Sequence, residues 1–220
     1  MSNFISLSHI LSENTPAYGN GDKPTFEKVN SIKEGASSNK TRINTDSHLG
    51  THVDFPYHFL EEGKKGEEFL PNDFVFSAPF LIELPVHQNL ITNQHLSTFT
   101  IPVHTDLLLI KTGMEQFRNE KKYWENGPGM ASETALFFKN NFPRLRAIGF
   151  DFLSLSSYQH REEGRLAHKN YLSNHILIIE DMKLLLLSKR NKINKVFVAP
   201  LLFANCDGAP VYVLAETEQK

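Results

Sequence analysis

A chain of 220 residues with 40% hydrophobic and 22% charged side chains can bury a core without disulfides or a structural metal, and its composition excludes the disordered and fibrous classes. The formal net charge of -2 supplies no global field to gather nucleic acid or anionic lipid. A lone cysteine, Cys206, excludes an internal disulfide and suits a reducing compartment.

Residues 1–11 carry no basic leader and no long apolar core, and the longest aliphatic run, residues 184–187, is too short to span a bilayer. A cytoplasmic location without membrane contact is therefore the expectation. Short apolar runs of strand length, rich in β-branched or aromatic side chains, recur at residues 4–11, 79–84, 106–111, 147–152, 175–179, 195–202 and 211–215. Residues 12–44, rich in Gly, Asn, Ser, Lys and Pro, read as loops of a functional or partner-covered kind. Helices are predicted over 133–141, with Ser132 as its cap, and over 164–172, with Leu166 and Tyr171 facing inward. A third is predicted from Asp181 to about Arg190, carrying the aliphatic run and ending basic. Strands alternating with helices predict an α/β or α+β fold with a mixed sheet, in a single domain over residues 1–220.

Histidine is where the composition departs from the ordinary. Three of the ten, His48, His52 and His58, lie within residues 48–58, where even scatter would place about 0.5. With Asp54 they offer four groups of the type that hold zinc, manganese or iron. His52 and Asp54 share one face of an extended chain, and Gly50 and Pro56 can supply the bends that bring the others round. Further along, His160 (flanked by Glu162 and Glu163) and His168 are candidates that spacing alone does not separate. Glu180 ends the apolar run 175–179, where a buried carboxylate requires a partner; a metal would serve, as would a helix start at Glu180 and Asp181. The basic stretch 189–195 has no interleaved aromatic residues and reads as a solvated helix end rather than a nucleic-acid surface. There is no G-x-S-x-G elbow, no G-x-G-x-x-G and no P-loop.

Residues 48–59, His-Leu-Gly-Thr-His-Val-Asp-Phe-Pro-Tyr-His-Phe, match the signature HxGTHxDxPxHF, and through it the chain resembles the metal-dependent cyclase family of kynurenine formamidases and isatin hydrolases. Shorter resemblances lie at Thr15-Pro-Ala-Tyr18, Gly149-Phe-Asp151, Ala167-His168-Lys169, Ile178-Ile-Glu180-Asp181 and Asp207-Gly208-Ala-Pro210. The resemblance implies a cyclase-like swivelling β/β/α domain with a central mixed β-sheet, a homo-oligomer, and divalent metal (Zn or Mn), two ions per subunit, without organic cofactor. It implies that His48, His52 and Asp54 bind metal, with Asp54 bridging to a second ion completed by His168 and Glu180. It further implies that His58 carries the proton and that Tyr18 contacts a small-molecule substrate where Trp is familiar. A small amide is the expected substrate, N-formylkynurenine the first candidate; another cyclic amide or lactone, or metal binding without turnover, are the alternatives. Tyr212 stands where members often carry Arg, and no carboxylate-binding arginine is identified. Residues 12–44 and 124–129 are implied as partner-chain contacts and substrate wall.

Overall fold

The computed structural model describes residues 2–85, 90–188, 190 and 192–218. In chain order the strands are β1 Ser2–Ser6, β2 Thr25–Asn30, β3 Lys40–Asn44, β4 His52–Asp54, β5 Val75–Phe76, β6 Pro79–Glu83, β7 Leu90–Ile91, β8 Leu107–Lys111, β9 Gly129–Met130, β10 Ala147–Phe150, β11 Leu177–Glu180, β12 Ile193–Pro200 and β13 Gly208–Glu218. The α-helices are α1 Asn93–Leu96, α2 Lys121–Glu125, α3 Glu133–Asn141 and α4 Arg161–Ser173. The main sheet runs β5-β12-β13-β4-β11-β10-β8-β6, with β1 added to β13. Strands β6, β8, β10 and β11 are parallel to one another, and β4 joins β11 to β13 by antiparallel pairing on both sides. β6 at one end approaches β12 near the other, so the sheet nearly closes. This is the mixed α/β, cyclase-like architecture expected.

The central strands are apolar at nearly every position because both faces are covered. Along β8, Leu108 and Ile110 face a core shared with Phe138 of α3 and Ala167, Tyr171 and Leu172 of α4. Leu107 and Leu109 face a second core, enclosed by the curved sheet, with Val196, Val198, Val213 and Ala215. The same alternation runs along β11, where Ile178 joins the first core and Leu177 and Ile179 join the second. Burying runs of this kind contributes roughly 1.5–3 kcal/mol per large side chain.

Four expectations are corrected. Residues 12–44 contain the antiparallel hairpin β2–β3; its strands are mostly exposed, so no apolar alternation marked them. The third helix, from Asp181 to about Arg190, is absent from the described residues: Asp181 adopts φ 49, its carboxylate is taken by Arg118 and Tyr123, and the Leu185 N–H donates to Glu115. Such tertiary partners outweigh helix propensity. Lys189 and Asn191, within the basic stretch, lie outside the described residues. Ser132 makes no capping bond through its side chain; its backbone N–H donates to Glu163. Leu166 is 48% exposed, and the inward stripe of α4 is Gly164, Ala167, His168 and Tyr171. Gly164 lets α4 approach the chain at Ser156, whose Cβ would lie 2.5 Å from an added methyl group. Among the described residues no helix is long and apolar enough to cross a membrane.

Candidate active site

Strand pairing assembles the site. In the antiparallel ladder His52 lies opposite Glu180, and Asp54 opposite Ile178 on one side and Gly208 on the other. Directly opposed residues share a face, so His52, Asp54 and Glu180 point together toward α4 while Val53 and Ile179 enter the opposite core. Before β4 the chain turns at Gly50, whose φ of 68 favours glycine. After it, Pro56 opens the 3-10 turn Pro56–His58, which folds His58 back so that its ring stacks on His48 at 3.8 Å. α4 supplies His168, seated under the Phe59 ring at 4.4 Å.

The polar atoms converge on the Asp54 carboxylate. Oδ1 is 2.9 Å from His48 Nδ1 and 3.4 Å from His52 Nε2, and Oδ2 is 3.5 Å from His168 Nε2. Glu180 faces the same rings, with Oε2 3.4 Å from His52 Nε2 and Oε1 3.5 Å from His168 Nε2. His52 Nδ1 donates to Gly50 O and His168 Nδ1 to Gly164 O, both at 2.8 Å. These bonds orient each ring and direct Nε2 at the carboxylates, as backbone carbonyls do for metal-binding histidines. His52 Nε2 and Asp54 Oδ2 are buried without a hydrogen-bond partner. Buried lone pairs facing one another at 3.4–3.5 Å repel unless a proton or cation lies among them, and the N/O chemistry fits a divalent metal. His48, Asp54 and His58 form one candidate ligand group, and His52, Asp54 and Glu180 another, each with its donor atoms within 4.8 Å of one another.

Protons stand in for that charge. Burial lowers the basicity of His48, but hydrogen bonds to Asp207 and Asp54 outweigh it and raise its pKa to about 9. Burial likewise opposes protonation of His168, and the Asp54 and Glu180 carboxylates close to it lift it to about 10. Desolvation would raise the Asp54 and Glu180 carboxyls, yet the surrounding imidazoles hold both below their ordinary values.

Asp207 was not singled out from the sequence, although it opens the Asp-Gly-Ala-Pro element. Its Oδ2 accepts from His48 Nε2 and His58 Nδ1, each at 2.9 Å, and its Oδ1 accepts from Ser47 Oγ at 3.0 Å. Those two imidazole bonds hold its carboxyl well below the usual carboxylate range. No regular spacing links residue 207 to residues 48 and 58; the fold alone brings them together. With Nδ1 of His58 donating, Nε2 is the nitrogen left to exchange a proton.

The group opens into a cleft of about 270 Å³ also lined by Tyr18, Phe59, Leu153, Arg161 and Arg165. Every expected site residue, Tyr18 and His168 included, is on its wall; the alternative histidine, His160, is exposed immediately before α4. The arginines could not be assigned from sequence, because helical spacing shows only that 161, 165 and 168 share a stripe.

The chain belongs to the cyclase family, which it matches over residues 5–157. It is similar to the kynurenine formamidase of Bacillus cytotoxicus, with 28% identity over 211 residues that cover 96% of this chain and 95% of that protein. It also resembles a solved structure from Bacillus stearothermophilus described as a "predicted metal-dependent hydrolase", with 26% identity, a TM-score of 0.74 and 98% of each chain covered. Isatin hydrolase A of Labrenzia aggregata shares the fold, with a TM-score of 0.85 at 19% identity over 99% of this chain and 94% of that one.

Proposed function

We propose that this protein is a metal-dependent hydrolase of a small amide. The observation that carries the reading is the buried set of ligand atoms that face each other without hydrogen-bond partners beside a carboxylate-oriented histidine. His48, His52 and Asp54 would hold one divalent ion, and Asp54, His168 and Glu180 a second; zinc and manganese both suit these donors. Bound there, the ions supply Lewis acidity toward a carbonyl oxygen and make water a nucleophile near neutral pH. Asp207 fixes the His58 tautomer, so His58 Nε2 can take the proton of the attacking water and return it to the departing amine nitrogen. Tyr18 and Phe59 border the substrate, and the cleft's size suits a small molecule. The likeness to a kynurenine formamidase supports N-formylkynurenine, hydrolysed to kynurenine and formate, as the first substrate to test. A cytoplasmic homo-oligomer with residues 12–44 or 124–129 at the interface completes the reading.

The test is elemental analysis of purified protein, followed by hydrolysis of N-formylkynurenine, formanilide, isatin and a lactone after loading with Zn or Mn. Hydrolysis that is lost in His58→Ala at unchanged metal content is the expected result. Bound metal with no turnover on any of the four would leave a metal-binding protein and refute the proposal.

A further inference from the structure

α4 presents Arg161, Arg165 and His168 as an i, i+4, i+7 stripe on one side of the cleft. His168 belongs to the buried ligand set. Seven residues of helix span about 10.5 Å, so the backbones of Arg161 and His168 are set about one small-molecule length apart along the cleft both residues line.

The two arginines are not equivalent. Arg165 is ion-paired with Glu162. Arg161 has no carboxylate within 4.0 Å among the described residues; its guanidinium carbon lies 4.1 Å from the centre of the Tyr158 ring and 5.8 Å from that of Tyr18, and the Tyr18 hydroxyl is its polar neighbour. The two rings are 5.9 Å apart and Tyr18 is tethered through its hydroxyl to Ser157 O at 3.4 Å. Contact through aromatic faces restrains a guanidinium without neutralising it and leaves most of its five N–H donors unused. A positioned, uncompensated guanidinium at the mouth of a cleft is matched by a carboxylate, which it can bind through two parallel hydrogen bonds.

We infer that Arg161 is a specificity-determining residue: it binds a carboxylate carried by the substrate at the end remote from the scissile carbonyl, so the cleft takes an anionic small amide in preference to a neutral one. The inference rests on the reading of the His48, His52, Asp54, His168 and Glu180 group as the reaction centre.

Calorimetry on the metal-loaded protein tests it with two ligands that need no turnover: kynurenine, and kynuramine, which has the same aryl ketone and amine but lacks the carboxylate. Kynurenine is expected to bind about tenfold or more tightly, and Arg161→Met to bring the ratio near one, with Arg161→Lys restoring part of it. In turnover, Arg161→Met should raise KM for N-formylkynurenine more than it lowers kcat. Equal affinities in the parent protein, or a preference that survives Arg161→Met, would overturn the inference. A carboxylate preference without hydrolysis would uphold the anion site while sinking the hydrolase reading; hydrolysis without the preference would do the reverse.

Discussion

Asp207→Asn removes one charge and almost no volume from the carboxylate that holds two imidazoles. In the parent chain Oδ2 accepts from His48 Nε2 and His58 Nδ1 at 2.9 Å each. A charge-assisted bond contributes about 1.5–3 kcal/mol and a neutral one about 1, so the two together weaken by roughly 2 kcal/mol. The half of that difference that belongs to the His58 bond is felt where His58 gains its proton, and kcat falls about fivefold. The asparagine amide can also turn its NH2 toward His58 Nδ1, which favours the wrong tautomer and deepens the loss. Because Asp207 is held well below the usual carboxylate range, the effect should be constant between about pH 5 and 8. The assay is kcat on the best amide of the panel, with metal content measured on each preparation so that weaker His48 ligation is not mistaken for a lost proton path. A kcat within about twofold of the parent at equal metal occupancy would refute the orienting role of Asp207.

Loading metal at pH 7 should release up to about three protons per chain, because the carboxylates around them hold His48 and His168 at about 9 and 10 and raise His52 well above its ordinary value and ligating nitrogens must be unprotonated; affinity therefore rises with pH toward 9, and an indicator-dye titration showing no release would contradict it. In Gly208→Ala the new Cβ would sit 2.4 Å from His48 Cε1 and 2.9 Å from both ring nitrogens, so the ring must move. The expected cost is about 1–3 kcal/mol in stability and at least about tenfold in metal affinity, read by thermal melting and chelator competition; unchanged values on both would count against the packing described. His9 is held at about pH 4, chiefly by burial, against 6.5 when unfolded, so it contributes stability above pH 6.5 that is lost as pH falls toward 4. The contribution is up to about 3 kcal/mol. Urea unfolding at pH 7 and pH 4.5 should show a smaller fall for His9→Asn than for the parent, and an equal fall would remove His9 from the account.

The sequence displays what is local and hides what is not. The central strands were legible because covering both faces leaves an unbroken apolar run, as at Leu107 to Ile110. The exposed β2–β3 hairpin leaves no such trace. The cluster from His48 to His58 was visible because four of its functional groups are packed into eleven residues. His168 and Glu180 needed the family resemblance, since their nearness to Asp54 depends on α4 crossing the sheet and on the pairing of β11 with β4. Asp207 stood in the Asp-Gly-Ala-Pro element with nothing to link it to His48 and His58, and Arg161 had no local signature at all. The failed helix after Asp181 marks the same limit: its aliphatic run was plain, but the partners Arg118, Tyr123 and Glu115 that redirect the backbone are 58–70 residues distant in sequence.

The position of β4, three residues long and paired on both sides, makes the site sensitive to an error that seldom concerns an enzyme. A slip of one residue in either ladder would turn Val53 toward α4 and send His52 and Asp54 into an apolar core. Only the correct alignment therefore gathers the candidate ligand set, and if that set binds a divalent ion, the ion would stabilise that alignment over its neighbours in proportion to its occupancy. Since the set draws on residues 48 to 180 and is braced from residue 207, the ion would come to rest only once most of the chain has found its place. On the proposed reading, metal uptake would thus be a measure of completed topology as well as a requirement of the chemistry.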